Sequence, residues 1–264
     1  MSRTVNVPGA QISYEVRGSG PVLAVIGHPM DGSGFAALVS KLTEHYTVVT
    51  IDPRGFGRST IADREQDAMP EVLADDVKAV LDLVEPEPVH LFGNSGGAVI
   101  GLALVAKYPD RLRTLVAHDP PLADLLPDRE QARAALHDIH DTYRAHGQGA
   151  AWGQFFEFGG FEAPPMPDGE PQEPSEEDVA AGERLFGHGL LPITLYEPDL
   201  AALRAASTRI VAAGGGASVG TFPQRAAAAL AERLGTELVD FPGNHGGFDS
   251  HPEEFAQTLH KILS

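Results

Sequence analysis

Among the 264 residues, the serine with the most pointed surroundings is Ser95, in the run Gly93-Asn94-Ser95-Gly96-Gly97. A serine hydroxyl is a weak nucleophile until a base takes its proton and fixed donors steady the oxyanion it creates. The run has the setting for such chemistry. Val89-His90-Leu91-Phe92 before it has the make-up of a buried strand, and the residues from Gly97 onward that of a helix. A serine on so tight a strand-to-helix turn is held in a strained conformation with its hydroxyl presented outward. Side chains at Gly93 or Gly97 would meet the adjoining strand and helix, so glycine is required there. The helix that follows aims its free N–H groups at the reacting oxygen.

Other residue types narrow the chemistry further. There is no cysteine, which removes disulfides, thiolate catalysis and cysteine-held metals. His137, His140 and His146 sit beside Asp138 and Asp141 in a polar helical stretch. Their i, i+3 spacing suits a metal, but no ordered third ligand accompanies it, so a solvated helix face and no metal site are expected. Asp52, Arg54 and Arg58 are placed to brace the turn they share. The formal net charge of −18 excludes a phosphate-binding surface for nucleic acid and disfavours an anionic membrane. It suits a small neutral or apolar substrate. The first ten residues hold no apolar run of signal-peptide kind, and no stretch approaches the roughly 18 apolar residues of a membrane span. A cytoplasmic protein is the expectation, with its oligomeric state left open.

The elements that must position Ser95 alternate along the chain. Gln11–Gly18 has the pattern of an edge strand. Pro21–Gly27, Tyr46–Asp52, Pro88–Gly93, Leu112–His118, Thr208–Ala213 and Glu237–Phe241 are apolar runs without polar alternation, as strands buried on both faces require. Helical stretches separate them: Val72–Val84, Gly97–Tyr108, Pro223–Leu234 and Pro252–Leu263. The last begins with Glu253 and Glu254, acids in a first turn. Strand and helix in alternation predict a doubly wound, mostly parallel α/β sheet. From about Leu122 to Ser207 the alternation stops. Helical sequence continues without a buried strand, interrupted by the proline-rich acidic stretch Ala163–Asp178, which has loop composition. This divides the chain into a core of residues 1–121 and 208–264 and an inserted helical lid, 122–207.

These landmarks resemble the α/β-hydrolase superfamily along nearly the whole chain. Gly27-His28-Pro29-Met30 is similar to the family's H-G-x-P loop, although Ile26 stands where histidine is usual. Asp52-Pro53-Arg54-Gly55-Phe56-Gly57-Arg58-Ser59 resembles its D-x-R-G-x-G-x-S turn, and the Ser95 run its nucleophile elbow. Tyr108-Pro109-Asp110-Arg111 and Gly243-Asn244-His245-Gly246 look like its later signatures. The resemblance implies an eight-stranded sheet with a helical lid after the sixth strand, Leu112–His118. It implies Ser95 as nucleophile, His245 as base, and the N–H groups of His28 and Gly96 as the oxyanion hole.

The acid departs from the family's usual place. After the strand ending at Ala213 the chain reads Gly214-Gly215-Gly216-Ala217-Ser218-Val219-Gly220, without a carboxylate. Some members, including a lactonase subgroup and certain dehalogenases, keep the acid one strand earlier, where this chain has Asp119. That position lies at the carboxyl end of a buried strand, where such sheets gather their reactive groups. Asp249 is a second, weaker candidate near the start of the last helix. Met30, Asp31 and Trp152 are expected to line the substrate pocket, and Trp152, Phe155, Phe156, Phe158 and Phe161 to form the lid's small core. The resemblance thus implies a cofactor-independent serine hydrolase of an ester, lactone or related acyl compound. A perhydrolase, a carbon–carbon bond hydrolase, or a degenerate binding protein of the same fold are the alternatives.

Overall fold

The computed structural model describes residues 2–161 and 174–264. Nine strands form one sheet in the order β1-β2-β4-β3-β6-β7-β8-β9, with β5 pairing to β2 outside that path. They are β1 (Ser2–Val7), β2 (Ala10–Gly18), β3 (Val22–Ile26), β4 (Thr47–Ile51), β5 (Thr60–Ile61), β6 (Val89–Asn94), β7 (Leu112–His118), β8 (Arg209–Gly215) and β9 (Val239–Phe241). Pairing is antiparallel among β1, β2, β4 and β5 and parallel from β4 through β9. The eight-stranded, mostly parallel sheet expected from the sequence is therefore present, and β5 is a two-residue addition. β1 carries no buried apolar run because it lies at the exposed edge.

The helices are α1 (Ala36–Leu42), α2 (Pro70–Val84), α3 (Gly96–Lys107), α4 (Arg129–His146), α5 (Gln148–Gly159), α6 (Glu176–Arg184), α7 (Leu190–Thr194), α8 (Leu200–Ala205), α9 (Phe222–Leu234), α10 (Gly247–Ser250) and α11 (Pro252–Leu263). Every residue of β3 is buried, and its side chains divide by alternation between two cores. Leu23 and Val25 meet Leu38 and Leu42 of α1 and Phe255 and Leu259 of α11. Val22, Ala24 and Ile26 join the core on the opposite face, with Leu73, Val77, Val99 and Leu230 of α2, α3 and α9. α3 is buried nearly all round, which explains why it shows no amphipathic pattern.

Between β7 and β8 the chain forms an α4–α5 pair, then α6, a π-helical turn at Leu185–Gly189, and α7. Two expectations are corrected here. α8 lies in the expected insertion but packs on α3 and α9, so it is a layer of the core. The expected loop to Asp178 ends sooner: Ser175 caps α6 through the Asp178 N–H at 3.1 Å, and the Asp178 carboxylate returns a bond to the Ser175 N–H at 3.2 Å. This reciprocal cap starts a helix inside what composition marks as loop. The rest of that acidic stretch, 163–173, falls outside the described residues. No described helix is long and apolar enough to cross a membrane.

Candidate active site

Ser95 stands between the last residue of β6 and the first of α3 with φ 55° and ψ −126°, an arrangement a side-chain-bearing residue adopts only when its surroundings enforce it. Those surroundings are close. A Cβ at Gly93 would lie 2.5 Å from the Gly97 carbonyl oxygen, and one at Gly97 would lie 2.2 Å from that of Ile26. The Ser95 N–H donates to the His118 carbonyl at 2.9 Å, tying the turn to the end of β7. One residue further, Asp119 also has positive φ, 48°, and its N–H bonds the Ala213 carbonyl of β8 at 2.8 Å. The carboxylate is wholly buried.

His245 lies on the loop between β9 and α10. Its Nδ1 is 3.1 Å from Asp119 Oδ2, so sequence positions 126 apart meet in one hydrogen bond. Asp249, the other candidate acid, falls in the first turn of α10 and makes no such bond. The space Asp119 occupies is left by β8: a Cβ at Gly214 would sit 2.8 Å from Asp119 Oδ1, and one at Gly215 would sit 2.5 Å from the Asn244 carbonyl carbon. The glycine run that lacks the usual acid is thus the run that accommodates this one.

Two further histidines flank these groups. His118, fully buried, has Nδ1 2.7 Å from Asn94 Oδ1, linking the ends of β6 and β7. Its pKa is pushed down to about 4, by burial first, with His245 adding to the effect and Asp119 opposing it. Nothing in the sequence singled it out except its place before Asp119. His28 is also buried, and burial together with the Arg184 guanidinium lowers its pKa to about 3. The His28 loop is held by Asp52, whose Oδ1 accepts from the Gly32 N–H at 3.0 Å and whose Oδ2 accepts from the Arg58 N–H at 3.1 Å. Arg54 is occupied by Asp76 through bonds of 2.8 and 2.6 Å, giving both arginines the bracing part expected of them.

Ser95, Gly96 and His28 face one small pocket, of about 30 Å³, together with Phe155, Phe161 and Leu190. That is room for roughly one water. Phe161 also lies against the His245 ring, with centroids 4.8 Å apart, which brings the histidine to the pocket's edge. The three residues expected as pocket lining are elsewhere. Met30 fills the notch over Gly27 and Gly34 and packs into the core of α1 and α11. Asp31 turns back to cap the following turn through the Ser33 N–H at 2.8 Å and faces a surface groove with Arg58. Trp152 stands one layer behind the pocket, stacked on Phe156 at 5.4 Å and edge-on to Phe186 at 4.8 Å. In the aromatic stretch it is Phe155 and Phe161 that reach the pocket. The apolar run of α7 contributes Leu190 and Ile193, which its composition alone marked only as helical.

A sheet that delivers a left-handed serine, a loop histidine and a buried aspartate to one end of its parallel strands defines an α/β hydrolase. Comparison with known proteins agrees: the α/β-hydrolase fold family matches residues 20–158, and the chain belongs to that family. It is 35% identical over 274 residues to the uncharacterised hydrolase YraK of Bacillus subtilis strain 168, a match spanning 98% of this chain and 95% of the relative. Among solved structures, an esterase from Thermogutta terrifontis superposes with TM-score 0.76 at 22% identity over 100% of this chain and 98% of its own. An enol-lactonase from Burkholderia xenovorans LB400 does so with TM-score 0.73 at 19% identity over 99% of each. The latter two likenesses are of fold. The protein is a hydrolase.

Proposed function

We propose that the protein hydrolyses an ester, lactone or related acyl compound through an acyl-enzyme on Ser95, without a cofactor. Ser95 Oγ attacks the carbonyl carbon as His245 Nε2 takes its proton; the imidazolium returns that proton to the departing oxygen. Water then attacks the acyl-enzyme with His245 again as base, releasing the acid and restoring the serine. Asp119 holds Nδ1–H toward itself, fixes the ring's tautomer and steadies the imidazolium. The N–H groups of His28 and Gly96 receive the oxyanion. The helices between β7 and α8 act as a lid, and the apolar pocket they close favours a small neutral substrate.

The observation that carries this reading is the 3.1 Å contact between His245 and buried Asp119, beside a serine held at positive φ. A binding protein that had lost catalysis would have no use for a strained serine and a paired histidine together. Ser95→Ala is expected to abolish hydrolysis of p-nitrophenyl acetate and labelling by a fluorophosphonate while the melting temperature stays near that of the parent. Undiminished hydrolysis in that variant rules the reading out.

A further inference from the structure

The pocket beside Ser95 is apolar with few exceptions. Of its lining among the described residues, three side chains are polar: Ser95, Thr194 and His28. The Thr194 hydroxyl gives its proton to the Leu190 carbonyl at 2.7 Å and can only accept further bonds. The His28 imidazole is the remainder. It is buried to 3% exposure, edge-on to Phe56 with centroids 4.9 Å apart. It lies between two glycines: a Cβ at Gly96 would be 3.0 Å from its Cβ and Nδ1, and a Cβ at Gly189 would be 3.1 Å from its Cε1 and 3.6 Å from its Nε2. Among the described residues, that Nε2 is buried without a hydrogen-bond partner.

Leaving a buried ring nitrogen unpaired is unfavourable. Here the wall facing it is the π-helical turn that joins α6 to α7, a kind of turn that concentrates at functional sites. Gly189, the last residue of that turn, leaves no side chain over the nitrogen. Burial and the neighbouring Arg184 keep the ring uncharged in ordinary buffers, so its nitrogens can exchange hydrogen bonds but do not present a cation. A neutral imidazole pairs well with a hydroxyl, which serves as donor or acceptor whichever nitrogen carries the proton. The reach is set by the chain. In the acyl-enzyme reading the same residue's N–H receives the oxyanion, which would set its side chain beside the first carbons of the acyl group.

We propose that His28 Nε2 is a specificity-determining group that selects acyl substrates bearing a hydroxyl on the second or third carbon. The proposal rests on the acyl-enzyme reading of Ser95 and names the substrate class of that same site. When the lid admits such a substrate, its hydroxyl supplies the partner that Nε2 lacks, while a plain alkyl chain leaves the nitrogen unpaired. A pocket built around a hydrogen bond discriminates against the analogue that cannot make it.

The test compares p-nitrophenyl 2- and 3-hydroxybutyrate with p-nitrophenyl butyrate in the parent, His28→Leu and His28→Gln. The quantity read is the ratio of kcat/KM for a hydroxylated ester to that for butyrate, so that intrinsic reactivity cancels between variants. For at least one hydroxylated ester the ratio should fall about tenfold or more in His28→Leu and recover in His28→Gln, whose amide can pair with a hydroxyl. An unchanged ratio in His28→Leu, or the same fall in both variants, overturns the proposal. The parent alone gives an independent reading. Of the unreactive amides, 2- or 3-hydroxybutyramide should inhibit about tenfold more tightly than butyramide, and equal inhibition by all three also overturns it. Serine-dependent hydrolysis of butyrate with no hydroxyl preference defeats this proposal alone; hydrolysis that survives Ser95→Ala defeats the acyl-enzyme reading and this proposal with it.

Discussion

The ends of β7 and β8 are neighbours in one parallel ladder, yet they finish in opposite ways. β7 ends in His118 and leads into Asp119, both wholly buried, the second at positive φ. β8 ends in glycine, and the space where side chains would stand is filled from next door. The two strand ends behave as alternative mounts for one carboxylate. Asp119 at the end of β7 puts an acid within reach of His245 Nδ1, and the bare end of β8 leaves it room. The glycine run is therefore the complement of Asp119, and its lack of a carboxylate leaves His245 with an acid beside it.

The strongest way to break this comparison is to neutralise the occupied mount. Asp119→Asn should lower kcat for an activated ester by roughly 10⁴-fold, because the amide no longer orients or steadies the histidine. A loss under tenfold would hand the acid's part to another residue. Next in size is an intrusion from the bare mount. Gly214→Ala puts a methyl group 2.8 Å from Asp119 Oδ1 and should displace the carboxylate, costing about 10²-fold in kcat with the nucleophile and base untouched. Unaltered turnover there would show that the glycine is incidental.

The third prediction concerns pH. His118, next to the acid, has its pKa depressed to about 4 by burial, against an ordinary value near 6.5. Between those values the unfolded chain binds a proton that the native one does not, so stability declines as pH falls from about 6.5 towards 4. Replacing His118 with phenylalanine, a shape its neighbours Phe92, Phe241 and Phe255 can accept, should flatten that decline by up to about 3 kcal/mol. Denaturant midpoints measured from pH 7 to pH 4.5 would show it; parallel curves for parent and variant would contradict it. The smallest effect belongs to Gly216. A Cβ there is in ordinary contact, 3.4 Å from the Phe241 carbonyl oxygen, and φ is not in the left-handed range. Gly216→Ala should change activity less than threefold and stability by less than about 0.5 kcal/mol. If it matched Gly214→Ala, crowding of Asp119 would not be the cause.

Ser95 and Asp119 were legible in the sequence because each follows a run whose apolar composition announces a buried strand. His245 instead follows β9, a three-residue edge strand with Asp240 exposed, and was legible from its loop before the last helix. Ser95, Asp119 and His245 could be placed at one end of the sheet before any contact was known. The lid's inner face was not legible. In W-G-Q-F-F-E-F-G-G-F every aromatic is a plausible pocket wall, and only the folded packing shows that Phe155 and Phe161 reach the site while Trp152 stands behind them against Phe186 and Phe156. Met30 and Asp31 adjoin His28 in the chain, yet their side chains are claimed by Phe35 and Ser33, contacts that nearness in sequence does not reveal. The π-turn likewise leaves no mark in the residues 185–189 that an ordinary helix would not.

That turn gives the helical insertion a property akin to gearing. A π-turn holds more residues than an α-turn, and the surplus sets the angle at which α7 leaves it. Removing one residue from 185–189 would turn α7 by about 100° relative to α6, carrying Gly189 away from His28 and bringing a different set of α7 side chains inward. The pocket's lining could thus be changed wholesale by a single deletion, while every residue at the strand ends stayed where it is. In this architecture the candidate catalytic groups are placed by where strands stop, and the lining of the pocket by how a helix is indexed.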